Sequence, residues 1–168
     1  MIILDNSVLS AFTRLNLLSH LKEIFSPIII SKDILGAYSE HWQKKISIFV
    51  KIIEPREDIE FRSFPVSLNP ADLSIIRLGL EYKFPIASDD KKLRKFAKRL
   101  DIPVIGSLGL LKLLFKNKII KTDDEYVKLL ESLQEDLYIS AELLNWAIKD
   151  MVEEEVIKKF MDKYNELK

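Results

Sequence analysis

The sequence predicts an α/β domain of three layers, in which a mostly parallel central sheet lies between helices, followed by C-terminal helices. Short apolar runs of strand length alternate with segments whose apolar residues recur at helical spacing. The chain has 168 residues, which is enough for one domain with a substantial core. Strands that alternate with helices form βα units, and these units bury a parallel sheet under helices on both faces.

Five apolar runs, rich in β-branched residues, predict the strands. They cover residues 1–4, 28–30, 48–53, 84–87 and 102–105. Helical spacing fills the intervals over residues 8–21, 73–80, 93–100 and 108–115. Residues 54–68 are charged and contain prolines, which is typical of a loop with at most one short edge strand. Parallel strands joined in this way are expected to have right-handed crossovers.

The pattern becomes purely helical after Ile120. Thr122 followed by Glu125 predicts a capping box at the start of a helix. Two further helical segments are predicted at about 140–150 and 152–166. We therefore predict a domain over residues 1–120 and a helical extension over residues 121–168, which either packs on the domain or projects from it.

Composition excludes several classes of function. Lys plus Arg and Asp plus Glu both number 26, so bulk charge does not demand a nucleic-acid partner. The absence of cysteine excludes disulfides, thiolate metal sites and cysteine nucleophiles. His20 and His41 are the only histidines, so a histidine-rich zinc site is not expected. Without a long apolar run or a signal-peptide pattern, we expect a cytoplasmic protein with no membrane partner.

Carboxylates follow two of the predicted strands and begin one helix. Asp5 ends the first strand, Asp89 and Asp90 follow the fourth, and Asp72 lies three residues after Asn69 in a first helical turn. Each acid alone is also typical of a helix N-terminus, where it satisfies backbone N–H groups. If the first and fourth strands flank the point where strand order reverses, these acids meet at the edge where α/β sheets bind ligands.

Carboxylates gathered in this way repel one another unless a cation lies between them. Three or four of them around one hole select a hard divalent cation, Mg²⁺ or Mn²⁺. Such an ion lowers the pKa of a bound water and neutralises charge on a phosphodiester. The pattern therefore predicts metal-assisted hydrolysis of a phosphate ester.

Four short segments make the chain resemble the PIN domain family over residues 1–120. They are Leu4-Asp5-Asn6-Ser7, Pro70-Ala71-Asp72, Ser88-Asp89-Asp90-Lys91 and the stretch 102–111, which is similar to one uncharacterised archaeal and bacterial branch. The resemblance implies an endoribonuclease that hydrolyses RNA, expected to be single-stranded, through metal-activated water. It also implies a role as the toxin of a toxin–antitoxin pair, with an antitoxin as partner. The implied catalytic metal ligands are Asp5, Asp72 and Asp90.

One position departs from the family pattern. The family usually has a glutamate where this chain has Ala37. Glu40 lies three residues later, and on one continuous helix it would share the face of Ala37 and reach the site. Asp89 and Glu40 are therefore second-choice metal ligands, with Asp33 less favoured than Glu40. A solvated surface acid is the alternative for Glu40.

Four more residues are candidates for substrate binding. Ser7 and Ser88 could orient water or contact phosphate, although as helix caps they need no further function. Arg14 and Lys91 are candidate phosphate contacts, and Lys91 begins a basic run that is also typical of a solvated helix face. His41 and Trp42 could stack on a base, although a half-buried aromatic pair is the plainer interpretation.

Two other functions stay open from the sequence. Ala37 favours a degenerate PIN-fold module that binds or assembles without cleaving RNA. A phosphatase or nucleotide-binding protein is the third class. It is disfavoured because the chain lacks a glycine-rich phosphate loop and a second acid two residues past Asp5. A homodimer is also expected, because the C-terminal helices carry more apolar residues than one small sheet covers.

Overall fold

A five-stranded parallel sheet organises the first part of the chain. The computed structural model describes residues 1–56, 68–137 and 139–149. The strands are β1 (Ile2–Leu4), β2 (Ile28–Ile30), β3 (Val50–Ile52), β4 (Ile86–Ala87) and β5 (Val104–Ile105). All five predicted strands are confirmed, and the edge strands are shorter than the apolar runs that predicted them.

Helices fill the intervals between the strands and form the end of the described chain. They are α1 (Asn6–Arg14), α2 (Leu18–Ile24), α3 (Lys32–Gly36), α4 (Glu40–Ser47), α5 (Pro70–Tyr82), α6 (Lys91–Arg99), α7 (Ser107–Lys116), α8 (Asp123–Asp136) and α9 (Ala141–Ile148). The helical spacing over residues 8–21 belongs to two helices rather than one. The chain turns at Asn16, whose φ of 56° is left-handed and ends the first helix.

The order of the strands reverses in the middle of the sheet. The order is β3-β2-β1-β4-β5, and every neighbouring pair is parallel. Right-handed crossovers place the helices between β1 and β3 on one face and α5 and α6 on the other. The structure therefore confirms the predicted three-layer α/β/α fold, with β1 and β4 flanking the reversal.

The core lies where the central strands meet these helices. Every residue of β1 and β2 is buried, because helices cover both faces of a doubly wound parallel sheet. Helix α1 adds Val8, Leu9 and Phe12 to this core. The central strands β1 and β2 carry only apolar side chains. Asp5 is the first polar residue after β1, and it lies at the carboxyl edge of the sheet.

The chain divides into two compact units, residues 1–107 and 108–168. Within the second unit, Tyr126 is buried, stacks on Phe115 with ring centroids 4.4 Å apart, and donates a hydrogen bond to the Ala147 carbonyl. Thr122 caps α8 by accepting from the Glu125 N–H at 3.2 Å. Only this half of the predicted capping box forms, because Glu125 Oε2 accepts from the Lys121 N–H at 3.3 Å rather than from the Thr122 N–H. The predicted domain boundary at residue 120 stays a prediction.

Parts of two predicted segments lie outside the described residues. These are residues 57–67 of the predicted loop and the predicted helix over 152–166. The helix predicted at about 140–150 is α9. Within the described residues, no helix combines the length and the apolar character needed to cross a membrane.

Two glycines give a matched test of the packing around α5. A methyl group on Gly79 would lie 2.9 Å from Ile86 Cδ1 and 3.2 Å from Ile102 Cγ2, whereas one on Gly36 would meet nothing within 4 Å. We expect Gly79→Ala to lower the free energy of unfolding by about 1–3 kcal/mol through overpacking. Gly36→Ala should raise it by about 0.4–1 kcal/mol, because alanine restricts the unfolded chain. Urea titrations would measure both, and equal effects would contradict the packing described here.

Candidate functional site

The candidate site lies at the carboxyl edge of the sheet, where the strand order reverses. The ladder between β1 and β4 pairs Leu4 with Ala87 and ends with the Asp5 N–H donating to the Ala87 carbonyl at 3.0 Å. Asp5 and Ser88 are the next residues of these two neighbouring strands. The sheet itself therefore brings together two side chains that are 83 residues apart in sequence.

Asp5 is buried, with 3% of its surface exposed, and both of its carboxylate oxygens accept hydrogen bonds. Oδ1 accepts from the Val8 N–H at 2.9 Å and from the Ser7 hydroxyl at 2.7 Å. Oδ2 accepts from the Ser88 hydroxyl. Asp5 is thus the N-cap of α1 and also the centre of a polar group that joins β1 to β4.

Burial is the main reason why the pKa of Asp5 is raised above its ordinary value. The negative charge of Asp89 acts in the same direction, and the hydrogen bonds from Ser88, Val8 and Ser7 only partly oppose it. A carboxylate that loses its water in this way is costly to ionise. The site therefore holds negative charge that its own hydrogen-bond donors do not fully compensate.

Asp72 belongs to the first turn of α5 on the other face of the sheet. Asn69 and Asp72 form a reciprocal capping box, in which the Asp72 N–H donates to Asn69 Oδ1 at 2.8 Å and the Asn69 N–H donates to Asp72 Oδ2 at 3.4 Å. Partial burial raises the pKa of Asp72, the bond from Asn69 lowers it, and the negative charge of Asp90 raises it. The carboxylates of Asp72 and Asp90 therefore act on one another across the edge of the sheet.

Asp90 is the exposed N-cap of α6. Its Oδ1 accepts from the Leu93 N–H at 2.8 Å, and its own N–H donates to Ser88 Oγ at 3.1 Å. Ser88 therefore donates to Asp5 and accepts from Asp90, so one buried serine fixes the relative positions of both acids. Asp5 and Asp90 are N-caps and Asp72 is the third residue of a capping box, so the helix-start interpretation holds for all three acids.

The carboxylate of Asp89 accepts hydrogen bonds within the protein, so its oxygens are not open to a ligand. Its two oxygens accept from the Ser107 N–H at 2.8 Å and from the Ser107 hydroxyl at 2.5 Å. A Cβ on Gly106 would lie 2.8 Å from this carboxylate and 2.6 Å from the Arg94 guanidinium, so a larger residue would have to displace both groups. Asp89 thus ties the end of β4 to the start of α7.

The interval around Ala37 does not form the continuous helix that the prediction for Glu40 required. Helix α3 ends at Gly36, and a new helix begins at Glu40 after Ser39. The expectation that Glu40 shares a helical face with Ala37 is wrong, because three residues outside either helix, 37–39, separate α3 from α4. Instead, Asp33 and Ala37 line one groove of about 450 Å³ together with Asp72.

The four predicted substrate residues lie at different distances from the acids. Ser7 and Ser88 contact Asp5 directly. Lys91 is exposed and follows Asp90 as the first residue of α6. Arg14 lies in the last turn of α1, about 13 Å along the helix axis from Asp5 at 1.5 Å per residue. The structure therefore brings Ser7, Ser88 and Lys91 to the site and leaves Arg14 at the far end of α1.

Tyr38 is a residue near the site that no sequence pattern indicates. Its hydroxyl oxygen is buried and has no hydrogen-bond partner of good geometry among the described residues. Burial raises the pKa of Tyr38 to about 12, a nearby Ser10 hydroxyl lowers it, and the charge of Asp5 raises it further. A buried tyrosine next to an acid leaves no periodic signal, because the contact depends on where α3 ends.

Comparison with known families decides which kind of domain carries this site. A PIN domain model matches residues 1–153. The chain belongs to the PIN domain family. PIN domains are generally nucleases that typically use divalent metals. The match extends past residue 120, where the resemblance from sequence ended. A comparison with curated protein sequences finds no significant match.

The donor chemistry of this PIN domain fits a hard divalent cation, because all of the candidate ligands are carboxylates. Asp72 Oδ1 and Asp90 Oδ2 accept no hydrogen bond from the described residues. Within residues 1–56, 68–137 and 139–149, however, no three acid, histidine or cysteine side chains stand in an arrangement that holds a metal ion. Asp72 and Asp90 therefore each have one open oxygen, whereas both oxygens of Asp5 are hydrogen-bonded.

The raised pKa of Asp5 predicts how Asp5→Asn changes stability with pH. The folded protein holds a proton on Asp5 at a pH where the unfolded chain has lost it, so stability falls as pH rises from about 3.8 through the folded pKa. Asparagine carries no charge to desolvate. We expect the melting temperature of Asp5→Asn, relative to the parent, to increase between pH 4 and pH 7. Thermal unfolding followed by circular dichroism would measure it, and a relative loss toward pH 7 would contradict the burial argument.

Proposed function

We propose that this PIN domain is a Mg²⁺- or Mn²⁺-dependent endoribonuclease that hydrolyses phosphodiesters of single-stranded RNA. The observation that carries the proposal is that Ser88 links Asp5 to the Asp90 N–H at the edge between β1 and β4, while the charge of Asp90 also acts on Asp72. Burial and neighbouring carboxylates raise the pKa of both Asp5 and Asp72, which is the electrostatic condition that a bound cation relieves.

Asp5, Asp72 and Asp90 would hold the ion, directly or through water. When bound, the ion supplies a water of lowered pKa and neutralises charge on the scissile phosphate. Ser88 fixes the position of Asp90 relative to Asp5, and the Ser7 hydroxyl donates a hydrogen bond to the other carboxylate oxygen of Asp5. Lys91, exposed next to Asp90, is placed to contact a phosphate of the RNA backbone.

A second candidate is a PIN-fold module that binds or assembles without cleaving RNA. Both oxygens of Asp5 and both oxygens of Asp89 are taken up by hydrogen bonds within the protein. Ala37 lines the groove beside Asp72, where a family glutamate would add a third open carboxylate. These observations favour a module whose acids have become structural caps.

The wider proposal includes a cytoplasmic toxin of a toxin–antitoxin pair and an antitoxin partner, and it rests on the family resemblance alone. It also includes a homodimer. Leu143 and Trp146 of α9 are 50% and 49% exposed, and they are the kind of apolar surface that a second copy would cover.

Mn²⁺ binding and RNA cleavage distinguish the two candidates. For the nuclease we expect calorimetry to detect Mn²⁺ binding and the protein to cleave a single-stranded RNA when Mn²⁺ is added. Asp90→Asn should reduce cleavage at least 100-fold, because a carboxylate ligand contributes charge that an amide does not. Asp101→Asn is the matched control. Asp101 is exposed with a φ of 57°, a conformation that asparagine tolerates, so this variant should cleave like the parent.

Absence of Mn²⁺ heat together with intact RNA would overturn the nuclease and favour the binding module. Equal losses in Asp90→Asn and Asp101→Asn would show that the effect is not specific to the site.

The groove beside Asp72 predicts which acid compensates for Ala37. Asp33 of α3 lines this groove with Ala37, the residue that follows the helix, and the hydrogen bond of 2.7 Å between the Ser74 and Ser31 hydroxyls holds the start of α3 against α5. We expect Asp33→Asn to weaken Mn²⁺ binding several-fold and Glu40→Gln to leave it unchanged. Calorimetry would measure both, and the reverse order of effects would restore Glu40 as the ligand.

A further inference from the structure

A second groove lies between α1, α2 and α4, away from the carboxylates. It encloses about 450 Å³, and its walls include the aromatic rings of Phe12, Trp42 and Phe49 with Asn16 and Lys45 at polar positions. We call it the aromatic groove. Its volume is within the usual range for small-molecule sites, and its lining combines apolar rings with a few polar groups, as such sites generally do.

Trp42 is the most exposed aromatic ring of the aromatic groove, with 42% of its surface accessible. Lys45 Nζ lies 4.9 Å from the centre of its ring, and the edge of His41 meets it with centroids 6.0 Å apart. These contacts hold the indole in place without burying it. The prediction of a half-buried pair therefore understates how open both residues are, since His41 is exposed as well.

The polar groups of the aromatic groove suit a nucleobase with its phosphate. The Asn16 amide carries both donors and an acceptor and makes no hydrogen bond with the described residues, so it can read the edge of a base. The Lys45 ammonium can leave the indole for a phosphate, which uncovers a ring face for stacking. The base and the phosphate of a nucleotide thus each have a matching polar side chain in the aromatic groove.

Charge favours RNA over an acidic or apolar partner. No residue that lines the aromatic groove is acidic. A second cation lies at its margin, where Lys22 Nζ is 3.5 Å from the Ile48 carbonyl. A groove that pairs aromatic rings with ammonium groups is typical of single-stranded nucleic-acid binding.

Helix α1 connects the aromatic groove to the carboxylates. Asp5 caps its first turn and Phe12 lines the groove, so the two are about 10 Å apart along the helix at 1.5 Å per residue. A single strand of RNA whose phosphate lies at Asp5 would therefore need to extend only a short way to place a base at Trp42.

We propose that the aromatic groove binds a base of the single-stranded RNA substrate that flanks the cleaved phosphate, with Trp42 as stacking platform and Lys45 as phosphate contact. This inference deepens the proposed nuclease function and rests on it. It assigns substrate positioning to a surface that contains none of the candidate metal ligands.

Measuring RNA binding in the absence of divalent metal tests the aromatic groove independently of catalysis. Fluorescence anisotropy would follow a labelled 12-nucleotide RNA in EDTA, alongside an oligomer of the same length with every base removed. We expect Trp42→Ala to weaken RNA binding roughly 5- to 150-fold, the range for loss of one stacked base, and Trp42→Phe to retain most of the affinity. Binding of the abasic oligomer should change less than about twofold, since it has nothing to stack. Tyr82→Ala, at another exposed aromatic ring, is the control and should bind like the parent.

Lys45→Gln adds an independent readout. It should reduce the slope of log affinity against log salt by about 0.7, the value for one phosphate contact to a single strand. Unchanged RNA affinity in Trp42→Ala overturns the proposal, as does equal weakening of the abasic oligomer or of Tyr82→Ala. Self-association that Trp42→Ala abolishes, without any change in RNA affinity, overturns it in favour of a second copy as occupant.

Cleavage assays with Mn²⁺ distinguish failure of the groove from failure of the nuclease. If the parent cleaves RNA but its RNA binding does not depend on Trp42, the proposed nuclease function stands and the proposed role of the aromatic groove is overturned. If the parent binds RNA through Trp42 but does not cleave it, RNA binding by the aromatic groove is supported and the proposed nuclease function is overturned.

Discussion

The hydrogen bond from the Ser88 hydroxyl to the Asp5 carboxylate is the interaction on which the candidate site depends. It joins the ends of β1 and β4, the two strands between which the order of the sheet reverses. Because Ser88 also accepts from the Asp90 N–H, the same side chain sets the start of α6. Two helices and two strands therefore take their relative positions from one buried polar group, which also brings Asp5 and Asp90 to the same edge of the sheet.

Ionising Asp5 in this arrangement costs electrostatic free energy. Asp5 is buried next to other carboxylates, and its hydrogen bonds only partly offset the loss of water. Burial and the neighbouring charge of Asp90 raise the pKa of Asp72 as well. A cation would relieve this repulsion, which is why the geometry supports a metal-dependent activity despite the small number of open oxygens.

Ala37 stands where the resemblance to the family implied a glutamate. The short helix α3 ends just before it, at Gly36, and the chain turns before α4 begins at Glu40. The groove next to Asp72 consequently contains Asp33 and no acid at position 37. The Ser31–Ser74 hydrogen bond joins the start of α3 to α5, so it positions Asp33 relative to Asp72.

The sequence by itself determined the fold class and which acids follow strands or begin helices, because both leave local signals. Apolar runs such as Ile28-Ile29-Ile30 mark buried parallel strands, and an acid after a strand marks the edge of the sheet. Tertiary structure alone decided which acids are open. Asp89 and Asp90 are adjacent and chemically identical, yet Ser107 takes up the first and leaves an oxygen of the second accessible. It also decided that Asp33 and not Glu40 lines the groove. These outcomes depend on contacts between distant residues and on where one helix ends, and helical periodicity carries no information about either.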